Sequence, residues 1–236
     1  MISTVADDRS TIEWPLAALK ALDAAPGWGW LRISRPAPAA AFSRRDTLAR
    51  GYPRAAQAAR AHGFEPVVRG VGGRLVAYHG GSLVLDIVAR HPEPRRQIME
   101  RFRQVAYAVA GGLAGLGLDA RVGPVPGEYC AGEFSVNVGG RVKVAGTAQR
   151  LTGRSVLFGV VVLVEDPEPV RAVLSDAYPL LGLDWDPGSL GCVADHLPGV
   201  SSAEVGDALL RELAPVLSIS RGTRPVFPLD GCWEVP

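Results

Sequence analysis

Apolar and polar positions along the chain fall into short stretches with two kinds of period. Period two marks a strand with one buried face. It runs through Ser135-Val-Asn-Val138 and resumes in Val142-Lys-Val144 after Gly139-Gly140. A two-residue turn there would set Lys143 opposite Val136. A three-residue loop, Gly139-Gly-Arg141, pairs Val138 with Val142 and Asn137 with Lys143 instead. Only that register gathers Val136, Val138, Val142 and Val144 on one face and Ser135, Asn137 and Lys143 on the other. The polar face has two readings from pattern alone: the wall of a site, or a solvated lysine on a surface hairpin.

Further strands are predicted over residues 28–34, 39–43, 67–69, 75–79, 82–88 and 118–122. The stretch 155–164 is almost wholly apolar and reads as a central strand covered on both sides. Helical patterns occupy 15–22, with Pro15 at an early position, and the alanine-rich 53–62, stopped by Gly63. A long helix is predicted from Pro94 to about Leu116. Its apolar stripe is Ile98, Phe102, Val105, Val109 and Leu113, and Arg95, Arg96, Arg101 and Arg103 lie mostly off it, read first as a solvated face and second as a contact for an acidic partner. Two more helices are expected, over 168–176 and after a cap at Ser201 or Ser202 with Glu204 in the first turn. Strands outnumber helices, hairpins recur and the two types do not alternate. This predicts an α+β fold, with helices packed on a mostly antiparallel sheet. Residues 1–27 are weakly patterned and read as an N-terminal extension, 28–217 as the main domain, and 218–236 as a tail without a clear period.

Composition narrows the function classes. The 236 residues are 47% hydrophobic, enough for a substantial core, and the net charge is +1 from 25 basic and 24 acidic residues. That balance supplies no global field for nucleic acid or an anionic membrane. No apolar run approaches the ~18 residues of a membrane span, and the N-terminal residues do not have the pattern of a signal peptide. Three cysteines, Cys130, Cys192 and Cys232, are too scattered for a disulfide framework, and no His/Cys cluster points to a metal. A reduced, cytoplasmic chain, monomeric, is the expectation.

The chemistry concentrates in 127–150. Cys130 stands in the turn-rich loop Gly127-Glu-Tyr-Cys-Ala-Gly132, and Lys143 follows on the hairpin's second strand. This brings a soft nucleophile and a cation close together with few competing charges. A second informative stretch is Arg69-Gly-Val-Gly-Gly-Arg-Leu-Val76, where glycines let a ligand or another backbone come near. It is not a phosphate loop, since neither a Gly-Lys-Ser/Thr nor a helix follows. His79 reads either as a site residue or as a packed strand histidine. Cys130 has a buried structural thiol as its alternative reading. Asp184 and Asp186 read as turn formers.

Gly140-Arg-Val-Lys-Val-Ala-Gly-Thr-Ala-Gln149 resembles the Gly-Lys-Lys-x-x-Gly-x-x-Gln-like motif of the biotin/lipoate protein ligase superfamily, with Lys143 in the lysine position and Gly146 in the glycine position. Tyr129-Cys-Ala-Gly132 resembles the Tyr-Cys-Pro-Gly loop of the lipoyl amidotransferases, with alanine for proline and the thiol kept. Arg69, Gly72, Gly73 and Val76 match the superfamily's Arg-x-x-Gly-Gly-x-x-Val turn, His79 sits where the ligases often carry a histidine, and Phe42-Ser-Arg-Arg-Asp46 resembles the first pocket segment. The matches run from about residue 39 to residue 165, with weaker similarity beyond. The resemblance implies the superfamily's α+β catalytic domain over 28–217. It also implies an acyltransferase that moves an octanoyl or lipoyl group onto the lysine of a lipoyl-domain protein, with Cys130 as nucleophile and Lys143 as the second catalytic residue, expected to favour the thiolate or relay its proton. Arg69, Gly72, Gly73, Val76, His79, Asn137 and Gly146 would bind substrate. Transfer requires no cofactor beyond the lipoate or octanoate that it moves. The implied partners are the glycine-cleavage H protein, a 2-oxoacid dehydrogenase E2 or an acyl-carrier protein. Three alternatives stand beside it: an ATP- and Mg-dependent lipoate ligase, a non-catalytic acyl- or lipoyl-domain-binding homologue, and, more weakly, biotin ligation. Cys192 is the alternative nucleophile, because related octanoyltransferases use a cysteine later in the chain.

Overall fold

Ser155–Leu163 pairs antiparallel with Ser82–Arg90 along its whole length and, on its other edge, with Val142–Leu151. This is the central position that its continuous apolar run requires. The structure, a computed structural model, describes residues 3–4, 10–24, 29–217 and 232–235, with side chains between residues 12 and 217 of that set. Trp28, most of the expected extension and tail, and the side chain of Cys232 lie outside the described residues.

In chain order the elements are β1 (Ser3–Thr4), α1 (Ser10–Ala24), β2 (Gly29–Arg35), β3 (Ala39–Phe42), α2 (Tyr52–Ala61), β4 (Glu65–Val68), β5 (Val76–Tyr78) and β6 (Ser82–Arg90). There follow α3 (Ile98–Gly115), β7 (Ala120–Val122), β8 (Val136–Val138), β9 (Val142–Leu151), β10 (Ser155–Leu163), α4 (Glu168–Leu180), α5 (Ser202–Val216) and β11 (Cys232–Val235). One-turn helices occupy Asp46–Leu48 and Pro187–Ser189. The large sheet has the order β1-β2-β6-β10-β9-β8-β7, with β11 also on β2, and β4-β3-β5 form a small second sheet.

Alternation along β6 divides the interior. Leu83, Leu85 and Ile87 face the core that α3 and α5 cover, with Val105, Val109, Leu113, Leu209 and Leu213 packed there. Val84 and Val88 face the opposite side, where α1 and the small sheet lie with α2 and α4 outside it. Of the expected stripe of the long helix, Val105, Val109 and Leu113 are buried and Phe102 packs half-buried against them, while Ile98 is half-exposed at the helix start, which lies at Ile98 rather than Pro94. Residues 94–97 form turns, and Gln97 is left-handed at φ 58°. Arg101 departs from the solvated-face expectation: its guanidinium bonds the carbonyl oxygens of Pro94 and Arg96 and the side chain of Gln149, tying that turn to the helix. Ser201 caps α5 in a reciprocal box with Glu204, worth about 1 kcal/mol.

The hairpin has the expected three-residue loop, with Val138 opposite Val142 and Asn137 opposite Lys143. Gly139 and Gly140 take φ of 63° and 72°, which a side chain at those positions would oppose. Beyond that point the register shifts: Val136 pairs with Ala145, so Val144 is an extra residue in β9. A bulge of this kind twists the strand and re-aims the neighbouring side chain. It directly follows Lys143, which keeps the regular register opposite Asn137.

Candidate active site

Lys143 is 2% exposed, so the surface-hairpin reading does not hold. Its stem passes Gly146, where an added Cβ would come within 3.3 Å of Cε. Its Nζ donates to the carbonyl oxygens of Tyr129 at 2.9 Å and Cys130 at 3.0 Å, lies 3.7 Å from the Glu128 carboxylate, and stands over the Tyr129 ring. Burial lowers the Lys143 pKa from 10.5, and the Glu128 charge opposes that shift.

Cys130 is half-buried and left-handed, with φ 44°. Strain of that kind in a non-glycine residue persists only where surrounding bonds over-determine it. Its amide donates to the Tyr178 hydroxyl at 2.8 Å, and that hydroxyl donates to the Leu75 carbonyl oxygen at 2.9 Å. Behind the loop, the Glu128 carboxylate accepts from the amides of Gly132 and Val125 and from the Ser135 hydroxyl. In front of it, the Cys130 Sγ meets the Arg74 amide at 3.2 Å and Arg69 Nη2 at 3.6 Å. Arg69 is itself held by the Arg74 carbonyl oxygen at 2.6 Å. Gly73 makes this approach possible: at φ +100°, a Cβ there would sit 2.4 Å from Arg69 Nη2 and 2.8 Å from the sulfur.

Cys130 and Lys143 line one cavity of about 490 Å³, and Arg69, Gly72, Gly73, Val76 and Gly146 line it with them. The floor is the large sheet, where Gly146, Ala148 and Gly159 leave room, and α1 closes one side with Leu16. Two expected site residues are elsewhere. His79 directly follows the last residue of β5, Tyr78, and the two side chains diverge: Val76 and Tyr78 line the cavity and His79 does not. The His79 ring meets the Asp166 carbonyl oxygen and packs against Phe64. Asn137 is buried behind the hairpin, where its side chain donates to the Gly123 carbonyl oxygen and accepts from the Gly140 amide. It stabilises the three-residue loop.

Lys143 contacts the backbone of the cysteine loop, and the donors at the sulfur are Arg69 and the Arg74 amide. Sequence reasoning did not single out Glu128, Tyr178, Tyr78 or Asp86. Glu128 and Asp86 had a signal, as carboxylates within otherwise apolar or turn-rich stretches. Tyr178 had none, since it reaches Cys130 from 48 residues away. Cys192 is 1% exposed in the second core, and burial pushes its thiol up to about 11, the state of an inert structural cysteine. Asp186 does form a turn, accepting from the Gly188 amide at 2.8 Å.

A family model described as the lipoyl protein ligase A/B catalytic domain matches residues 39–214. The chain belongs to this family. Among curated proteins it is similar to an octanoyl-[GcvH]:protein N-octanoyltransferase of Geobacillus kaustophilus, 32% identical over 52% of this chain and 43% of that one. A protein of the same name from Exiguobacterium sibiricum is 30% identical over 48% of this chain and 41% of its own length. The matched region therefore spans less than half the length of these relatives. In fold, the chain is similar to lipoate-protein ligase A bound with ATP, with TM-score 0.74 and 20% identity over 97% of this chain and 88% of that one. It is also similar to the bipartite lipoate protein ligase of Thermoplasma acidophilum, described with its E2 lipoyl domain, with TM-score 0.68 and 21% identity over 96% and 86% of the two chains. These likenesses establish the mixed α+β catalytic-domain architecture. No helix among the described residues is long and apolar enough to cross a membrane.

Proposed function

We propose that this chain transfers an octanoyl or lipoyl group to a lysine of a lipoyl-domain protein through a thioester on Cys130. The observation that carries the reading is the position of the sulfur: at an apolar cavity, with the Arg69 guanidinium and the Arg74 amide directed at it. The cavity would hold the alkyl chain. The two donors would favour a sulfur bearing negative charge, the nucleophilic form.

In the first step the Cys130 sulfur forms a bond to the acyl carbon. The bond to the donor's lysine nitrogen, or to a carrier's sulfur, breaks, and the leaving group takes up the proton that Cys130 gave. In the second step the amine of the acceptor lysine attacks the thioester, loses a proton, and the Cys130 thiol is restored. No ATP is consumed. Lys143 fixes the Tyr129 and Cys130 carbonyl oxygens and so holds the loop in register with the donors. The partners on this reading are the glycine-cleavage H protein, an E2 lipoyl domain or an acyl-carrier protein, and a cytoplasmic location goes with them.

Mass spectrometry of the intact protein after incubation with an octanoylated H protein tests the reading. An octanoyl adduct on Cys130, absent from Cys130→Ala and kept in Cys192→Ala, is expected. Normal transfer by Cys130→Ala defeats the proposal. If exchange of pyrophosphate into ATP in the presence of free lipoate is seen instead, the ATP- and Mg-dependent ligase reading replaces it.

A further inference from the structure

The cavity wall carries two polar groups that the transfer chemistry leaves unused. Asp86 projects from β6 into the cavity and is 5% exposed; Tyr78 projects from β5 and is 3% exposed. Arg32 Nη2 donates to Asp86 Oδ2 at 2.8 Å. Among the described residues, no donor reaches Asp86 Oδ1 and nothing bonds the Tyr78 hydroxyl. Both groups line the same cavity, and burial, with the Asp86 charge after it, pushes the Tyr78 hydroxyl pKa up. Burial likewise raises the Asp86 carboxyl, against the pull of Arg32.

A slot built only for methylenes has no use for these groups. A saturated chain laid against them strips their water and returns no hydrogen bond, which disfavours it at that depth. An ion pair kept only for packing is replaceable by apolar residues of similar size at little cost. The position is informative as well. Asp86 is registered opposite Gly159, and Gly159 opposite Ala148 on β9. The carboxylate therefore stands two strand spacings, about 10 Å, from the strand that carries Lys143 and Gly146. An acyl chain running across the Gly159 floor from Cys130 meets Asp86 well beyond its carbonyl.

We propose that Asp86 and Tyr78 form a polar anchor for a hydroxyl group on the distal part of the acyl chain, so that the preferred substrate is a hydroxylated medium-chain acyl group. A hydroxyl suits the pair because it donates to Asp86 Oδ1 and accepts from Tyr78 Oη at once. The inference rests on the acyl-transfer reading of Cys130.

The test compares N-acetylcysteamine thioesters of octanoate, of ω-hydroxyoctanoate, and of octanoate hydroxylated two carbons before the end, by the rate at which each labels Cys130 in the intact protein. Each exchange forms one thioester and releases one N-acetylcysteamine thiol. One hydroxylated chain is expected to label at least about tenfold faster than octanoate, since a site built to bond a hydroxyl rejects the chain that lacks it. Tyr78→Phe should lower that ratio severalfold. The paired replacement Arg32→Met with Asp86→Leu, which leaves no buried charge alone, should bring it below one. A ratio of one or less in the wild type, or a ratio that neither variant moves, overturns the anchor and leaves acyl transfer intact. If octanoate and both hydroxylated chains all fail to label Cys130, the transfer reading falls and takes the anchor with it.

Discussion

The Cys130 amide donates to the Tyr178 hydroxyl, which in turn donates to the Leu75 carbonyl oxygen, so one phenol from α4 joins the cysteine loop to the residue that leads from the Gly73 turn into β5. Burial keeps that hydroxyl protonated, with its pKa well above the ordinary tyrosine range, so it remains a donor. Tyr178→Phe leaves the Cys130 amide and the Leu75 carbonyl oxygen without their partner. Stability should fall by about 2 kcal/mol in urea denaturation. Acylation of Cys130 by a long-chain thioester should slow about tenfold, while alkylation by a small reagent changes little, because the phenol positions the loop without touching substrate.

Gly72 and Gly73 should respond differently to the same change. A Cβ at Gly73 meets Arg69 Nη2 at 2.4 Å and the Cys130 sulfur at 2.8 Å, at φ +100°. A Cβ at Gly72 meets nothing nearer than the Gln149 carbonyl oxygen at 3.9 Å. Gly73→Ala is therefore expected to displace the sulfur from its donors and reduce Cys130 acylation about a hundredfold, at a stability cost of about 1–2 kcal/mol. Gly72→Ala should lie within about tenfold of the wild type. Side-by-side acylation rates and urea midpoints check both.

Gly159 determines how far the cavity extends over the sheet. A Cβ there has only the Ala148 carbonyl oxygen within reach, at 4.0 Å, and the cavity lies above it. Gly159→Leu should fold with a stability change of about 1 kcal/mol or less, since a strand interior disfavours glycine. It should shorten the accepted chain: octanoyl transfer drops about a hundredfold while butyryl transfer is kept. A chain-length series of thioesters reads this directly, at about 0.8 kcal/mol for each methylene excluded.

Lys143 and Glu128 form a buried pair that shapes stability as well as the site. Lys143→Met leaves the Glu128 carboxylate without its cation, and Glu128→Gln removes the charge that raises the Lys143 pKa. Each single variant should be destabilised, and the double variant should be more stable than the sum predicts by about 1–3 kcal/mol. The lysine also has a pH signature. With its folded pKa below 10.5, the unfolded chain binds a proton that the folded chain does not, in the window between the two values. Stability of the wild type should therefore rise with pH through that window relative to Lys143→Met, and level off above 10.5. Denaturant midpoints measured across alkaline pH check the sign.

Much of the fold was legible in local pattern. Local pattern located the strands of both sheets apart from Ser3–Thr4 and Cys232–Val235, which fell in the weakly patterned extension and tail; the unbroken apolar run of 155–164 placed β10 at the centre, and Phe102, Val105, Val109 and Leu113 gave the face of α3 that packs. The hairpin loop was legible as well, because one register alone separates valines from polar residues. These features depend on neighbours in the chain, and backbone geometry translates sequence spacing into direction. The bulge at Val144 depends on a partner strand, and the burial of Lys143 depends on the Tyr129–Cys130 loop that covers its face of the hairpin.

For the site, the residue types and the spacing of the Arg69–Val76 and Tyr129–Gln149 stretches identified the thiol, the amine and the glycine turn. Sequence proximity could not say that Lys143 would meet the carbonyl oxygens of Tyr129 and Cys130, or that Arg69 and the Arg74 amide would face the sulfur. Nor could it turn Tyr78 inward in place of His79, or set Asp86 into the cavity wall. Those outcomes are fixed by which strands lie side by side and by which buried polar groups must find partners, and both are settled only when distant segments pack.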